Sequence, residues 1–267
     1  MQVMVGFNRR FSPHAVALRK WLSARGEPAT IHMLINAGQI PADNWIMRPE
    51  VSGGRIVGEG CHWFDLAAFL VDAPISAVTV DAGGSGDRGR DHQTITLALA
   101  DGSTAVLQYL VNGSKAFPKE RVTIFCQGQV AELDNFHSLA TYDCKGLAKQ
   151  NLWKQDKGHR AEVAAFLASV AGGGRPVIPF ESLVNTTLAT FAALRARRTA
   201  QKSKSKAEAR RPNPSPHPVD RITIFEFFST FILHPSSFNR VLVLRHRRQA
   251  HRAGSALLRR RRSGTSA

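Results

Sequence analysis

The sequence predicts an α+β fold, an open antiparallel β-sheet with helices on one face, and three observations carry that prediction. Strand-length apolar runs recur through the middle of the chain, at residues 75–80, 94–100, 104–111, 121–126 and 129–133. Hairpin turns separate them, Asp101-Gly102 most clearly, with Gly128 opening another. Runs at helical spacing stand before and after this block and supply a covering layer. Charge also divides the chain: residues 1–194 carry 18 Lys+Arg against 17 Asp+Glu, whereas residues 195–267 carry 18 against 3. A near-neutral body thus holds the fold, and a basic, low-complexity, disordered tail follows it over 199–267.

Taken in order, residues 2–7 form a short apolar run that reads as a buried strand. A helix follows, with Ser12 as its cap, Pro13 in its first turn and Gly26 at its close. Ala15, Leu18 and Leu22 recur there at helical spacing. Ile31, Met33 and Ile35 alternate within 30–36 and predict a strand. A loop with Pro41, Trp45 and Pro49 then leads to Gly53-Gly54-Arg55-Ile56-Val57-Gly58-Glu59-Gly60-Cys61-His62-Trp63-Phe64-Asp65-Leu66. Its glycines suit a loop edging a ligand, and its second half predicts a helix to about Leu70. Two further helices are predicted over 157–171, ended by Gly172-Gly173-Gly174, and over 181–195.

On a regular helix Glu59, His62 and Asp65 share a face. Two acids and an imidazole so placed can relay a proton near neutral pH. They can also begin a metal site, although no fourth ligand stands at a matching spacing and no metal is expected. The competing reading has His62 partly buried and hydrogen-bonded, with Glu59 and Asp65 solvated. Gly84-Ser85-Gly86-Asp87-Arg88-Gly89 matches G-x-G-x-x-G, but a β-rich segment follows it where a dinucleotide fingerprint requires a helix, so it reads as a surface loop.

Composition excludes several classes. Three scattered cysteines, Cys61, Cys126 and Cys144, form no C-x-x-C pair, which argues against a disulfide scaffold or a zinc ribbon and fits a reducing cytosol. No secretory signal is evident at Met1, and no apolar stretch reaches the roughly 20 residues of a membrane span. A cytoplasmic protein is expected.

The central stretch resembles the C-terminal half of the Gfo/Idh/MocA oxidoreductases, specifically the branch often fused behind a zinc-type alcohol dehydrogenase. Further matching segments are Val5-Gly6-Phe7-Asn8-Arg9-Arg10-Phe11-Ser12-Pro13, Asn36-Ala37-Gly38, Asn112-Gly113-Ser114-Lys115, Phe117-Pro118-Lys119-Glu120-Arg121, Leu133-Asp134-Asn135-Phe136, Asn151-Leu152-Trp153, Gln155-Asp156-Lys157-Gly158-His159 and Ile178-Pro179-Phe180-Glu181; they span roughly residues 3–194. The resemblance implies that residues 1–26 are the last strand and linking helix of a nucleotide-binding domain. It implies that 27–198 form the substrate and oligomerisation domain.

It also implies an NAD- or NADP-dependent oxidoreductase acting on a sugar-like or other hydroxylated small molecule, and a homo-oligomer formed through the sheet face. In the family's Gly-Gly-x-x-x-Asp-x-x-x-His segment, His62 falls on the histidine, while Gly58 stands where the aspartate belongs and Glu59 is displaced by one. The catalytic candidates are therefore His62 and Glu59, and the substrate-binding candidates Arg10, Asn36, Asp65 and Lys115. Arg10 is also a cofactor candidate, because the Arg9-Arg10 pair would pass the nicotinamide side of the cleft; the two arginines can equally meet the protein's own carboxylates. The sequence contains neither a glycine-rich loop in the right context nor a Glu-Lys-Pro lysine, so dinucleotide binding and turnover by this chain alone are not expected. The alternative is a non-catalytic nucleic-acid or anionic-surface binder acting through the tail, with steep salt dependence. Deleting residues 200–267 and measuring DNA retention at two salt concentrations separates the two.

Overall fold

The computed structural model describes residues 2–41, 43–82, 92–208, 221–223 and 241–244. The glycine-rich stretch 84–89 lies outside them. So does the tail beyond residue 208, apart from its two short strands.

One sheet dominates. Strands β2 (Thr30–Asn36), β3 (Ile75–Ala82), β4 (Gln93–Leu99), β5 (Thr104–Leu110), β6 (Glu120–Cys126), β7 (Gln129–Asp134), β8 (Ser138–Tyr142), β9 (Gln150–Asn151) and β10 (Arg221–Thr223) line up in the order β10-β3-β4-β5-β2-β6-β7-β8-β9. The predicted open sheet is thus present, with one correction: it is mixed, because β2 runs parallel to β5. The reason is topological. The chain reverses between β5 and β6, and β2 is inserted between them, so β2 must run parallel to one and antiparallel to the other. Only a long crossover can reach such a place, and residues 37–103 supply it.

Alternation along the strands fixes the faces. In β4 and β5 every second residue is buried, so Ile95, Leu97, Leu107 and Tyr109 face the helices while the intervening residues stay part-exposed on the open face. Helix α1 (Pro13–Leu22) is capped by Ser12, whose Oγ accepts from the Ala15 amide at 3.1 Å. It brings Ala15, Leu18 and Leu22 to the main core. Helix α3 (Cys61–Val71) lies between α1 and the long α5 (Phe180–Glu208) and buries Trp63, Phe64 and Leu66. The Trp63 and Tyr109 rings meet edge to face at 5.9 Å. At about 1.5–3 kcal/mol for each large apolar side chain fully buried, this layer dominates the fold's stabilisation.

A second, smaller core joins Met4 and Phe7 to Phe166 of α4 (His159–Ala171) and to Ile178 and Leu183. The short helix α2 (Pro49–Ser52) precedes the glycine pair. Within the segment expected to lack structure, residues 199–208 continue α5, β10 pairs with β3, and β11 (Val241–Leu244) pairs antiparallel with β1 (Gln2–Val5). Among the described residues no helix is long and apolar enough to cross a membrane.

Candidate functional site

Helix α3 does not begin as a regular helix. Residues Ile56–Gly60 form a π-turn, one residue wider than an α-turn. Gly53 and Gly54 make it possible: both have positive φ, and a Cβ on Gly53 would lie 2.9 Å from a Val57 methyl. These glycines shape the turn and do not line the cavity described below.

The wide turn separates residues that a regular helix would stack. Glu59 turns toward the sheet. It accepts the Tyr109 hydroxyl and, at 2.5 Å, Lys119 Nζ, with Arg55 Nη2 at 3.5 Å. Burial opposes its charge, but Lys119, Tyr109 and Arg55 outweigh that, and its pKa falls below the usual glutamate value.

Asp65 is fully buried, and both its oxygens accept from Arg10, Nε at 2.9 Å and Nη2 closer still. Burial pushes its carboxyl up against the pull of that guanidinium. Arg9 does the same with Glu120, at 2.7 and 2.9 Å, and Lys157 Nζ joins at 2.7 Å. Burial works against the Glu120 carboxylate, yet Arg9 and Lys157 bring its pKa down to about 2. The 3-10 turn Asn8–Phe11 therefore plants two bidentate ion pairs in the interior, where guanidinium geometry suits carboxylate.

Of the catalytic and binding candidates read from the sequence, His62 is the one that lines the cavity formed beside α3. It is a space of ≈ 290 Å³, at the small end of the range for small-molecule pockets, roughly 300–1,000 Å³. The end of β1 forms one wall, α4 a second and α5 a third, with Trp45 reaching in from its 3-10 turn. The His62 ring stands edge to face against Phe7 at 5.8 Å, and its Nδ1 is buried without a hydrogen-bond partner. Burial, reinforced by the nearby Arg9 charge, brings its pKa down to about 3. The ring is neutral near pH 7, so it offers one donor and one acceptor rather than a charge.

The other candidates lie elsewhere. Arg10 and Asp65 satisfy each other. Asn36 is buried, its Nδ2 donating to Ser114 O at 2.7 Å and Phe117 O at 3.3 Å. Lys115 is exposed on the loop that Asn36 holds, with its stem against Gly38. None of Glu59, Arg10, Asn36, Asp65 and Lys115 lines the cavity, so the three-residue face read from the sequence does not assemble.

Sequence reasoning missed other lining groups: Glu162 and His159 of α4, Thr187 and Thr190 of α5, Cys61 and Trp45. The signal for the first two was their three-residue separation on a helix started by a glycine. Gly158 has φ +85, and a Cβ there would sit 2.3 Å from Asn8 O, so α4 docks directly on the Asn8–Phe11 turn. Burial pushes the Cys61 thiol up to about 12, which leaves it unreactive near neutral pH. Among the described residues no group of three or more His, Cys, Asp and Glu is placed to hold a metal ion.

A nicotinamide dinucleotide needs a strand, a glycine-rich turn and a helix N-terminus for its pyrophosphate. Among the described residues β1 runs instead into the Asn8–Phe11 turn, whose guanidinium donors meet Glu120 and Asp65. These residues do not fit a dinucleotide.

Residues 17–131 match the family model described as the GFO/IDH/MocA C-terminal domain. Inositol 2-dehydrogenase 2 of Paenarthrobacter aurescens (strain TC1) is 26% identical over 184 residues, covering 64% of this chain and 53% of that protein. Inositol 2-dehydrogenase of Rhizobium meliloti (strain 1021) is 34% identical over 114 residues, covering 40% of this chain and 34% of that protein. The chain thus spans about half, or less, of these curated relatives. Among solved structures, aldose-aldose oxidoreductase of Caulobacter crescentus, complexed with glycerol, superposes with a TM-score of 0.61 at 19% identity, covering 74% of this chain and 62% of that one. A myo-inositol dehydrogenase of Corynebacterium glutamicum gives 0.55 at 23%, covering 73% and 62%. At these identities the structural likeness establishes the fold.

Proposed function

Residues 17–131 make this chain a carrier of the GFO/IDH/MocA C-terminal domain, and from that premise we propose that it is the substrate-holding part of a dehydrogenase acting on a sugar-like or polyol substrate. The observation that carries the reading is His62: a neutral imidazole with a buried, unpartnered Nδ1, set in a cavity that also holds the threonine side chains of α5 and the Trp45 ring. A ligand hydroxyl can complete that hydrogen bond, and a sugar ring can lie against an aromatic face. His62 would position a hydroxyl by accepting or donating one bond; a conjugate acid titrating at about 3 is a weak match for proton transfer near pH 7.

Ligand-observed NMR with myo-inositol, D-glucose and glycerol tests the reading. The expected result is binding of at least one, weakened roughly tenfold or more in His62→Ala by loss of a buried hydrogen bond. Failure of all three to bind the wild-type chain would remove it. Calorimetric titration with NAD(H) and NADP(H) is expected to show no micromolar binding, and such binding would place the dinucleotide on this chain after all.

The reading extends to a homo-oligomer through the open sheet face, where Phe125, Val130 and Tyr142 stand in register across β6, β7 and β8, with Phe125 48% and Tyr142 56% exposed. A monomer in light scattering at high protein concentration would count against it.

A further inference from the structure

His62 and Glu162 line the cavity, and each carries a buried side-chain atom without a hydrogen-bond partner, Nδ1 and Oε1. Such orphans are uncommon in a folded interior and call for a physical explanation. Glu162 is 6% exposed, and its Oε1 lies 3.9 Å from where a Cβ on Gly6 would stand, at the wall formed by β1. Its surroundings are specific. Asp65 of α3 lies close enough to repel it, and Arg10 of the Asn8–Phe11 turn attracts it but has already spent Nε and Nη2 on Asp65. Cys61 and His62 of α3 face the same space, and His159 precedes Glu162 by one turn of α4. No lysine or arginine lines the cavity among the described residues.

We propose that Glu162 is the specificity determinant of this cavity: its carboxyl bonds a hydroxyl of an uncharged polyhydroxylated ligand and turns away the carboxylate analogue of the same ring. This inference rests on the reading of the cavity as a polyol site and names the residue that decides which polyols enter. The geometry gives a hydroxyl what it needs, since a hydroxyl both donates and accepts and so satisfies a carboxyl in either protonation state. A ligand carboxylate there would find a second acid, with Asp65 behind it and no lining lysine or arginine to offset the repulsion. Burial, together with Asp65, pushes the Glu162 carboxyl up to about 7. The exclusion is therefore strongest above that pH and relaxes as pH falls through it, when Glu162 becomes neutral.

The test uses the full chain with D-glucose and D-glucuronate, which differ at one carbon, at pH 6 and pH 8, and binding is read by ligand-observed NMR. Wild type is expected to bind glucose at both pH values and to disfavour glucuronate by roughly tenfold more at pH 8 than at pH 6. Glu162→Gln, an isosteric change that keeps an acceptor but cannot ionise, is expected to lose the pH-dependent discrimination. Glu162→Ala is expected to lose roughly tenfold or more in glucose affinity. Thermal melts of the variants check that the fold is retained, and the glutamine variant decides the question alone if the alanine variant fails to fold. Should glucose bind while glucuronate discrimination is the same in wild type and Glu162→Gln, the role of Glu162 is overturned and the polyol reading stands. If the wild-type chain binds none of D-glucose, myo-inositol and glycerol, both fall together.

Discussion

The two sides of the Asn8–Phe11 turn treat buried polar groups in opposite ways. On one side Arg9 and Arg10 close bidentate pairs with Glu120 and Asp65, and Lys157 adds a third cation. On the other, across the first turn of α3, His62 Nδ1 and Glu162 Oε1 stand without partners. The two regions meet on α3, which carries both Asp65 and His62. What differs is completion: a satisfied buried charge holds elements together, whereas an unsatisfied polar atom costs stability that a ligand bonding to it can restore.

The contrast can be broken from the satisfied side first. Asp65→Ala leaves the Arg10 guanidinium buried without its carboxylate, and urea denaturation is expected to show a loss of about 3–5 kcal/mol. A loss below about 1 kcal/mol would mean that the pair contributes little and the contrast fails.

The acid limb of the stability curve comes next. Glu120 has its pKa lowered from 4.5 to about 2 in the fold. Its contribution, on the order of 3 kcal/mol, is fully present above pH 4.5 and is lost as pH falls toward 2. Glu120→Gln should flatten that limb in melts taken between pH 5 and pH 2.

The smallest expected effect lies on the unsatisfied side and has the opposite sign. Glu162 is raised from 4.5 to about 7, so the fold loses stability as pH rises through that interval. Glu162→Gln removes this cost and should stabilise the ligand-free chain by on the order of 2 kcal/mol at pH 8 relative to pH 5. Equal stability of the two proteins at both pH values would mean that Glu162 already has a partner.

Much of the fold was legible because it rests on local periodicity. Alternation placed β2, β4, β5, β6 and β7 within a residue or two, and Ser12 and Pro13 fixed the start of α1, which ends at Leu22, before the Gly26 expected to close it. The short strand β8 gave little signal, since only Leu139 of Ser138–Tyr142 is deeply buried. Helix α5 ran past Arg195 to Glu208 because alanine, lysine and arginine are good helix formers even where no apolar periodicity marks the segment. Within the site, His62 was legible from its spacing. Glu162 was not, since an acid on a helix ordinarily reads as solvated.

By itself, then, the sequence determined the strand and helix periods, the neutral body with its basic tail, and the α3 segment that carries His62, because these depend on neighbours within a few residues. The tertiary structure decided the parallel β2–β5 pair, the turning of Glu59 away from His62 by the π-turn, the partners of Arg9 and Arg10, and the burial of Glu162. Each of these is fixed by a group far along the chain, and the energy of a buried charge depends on which group arrives beside it.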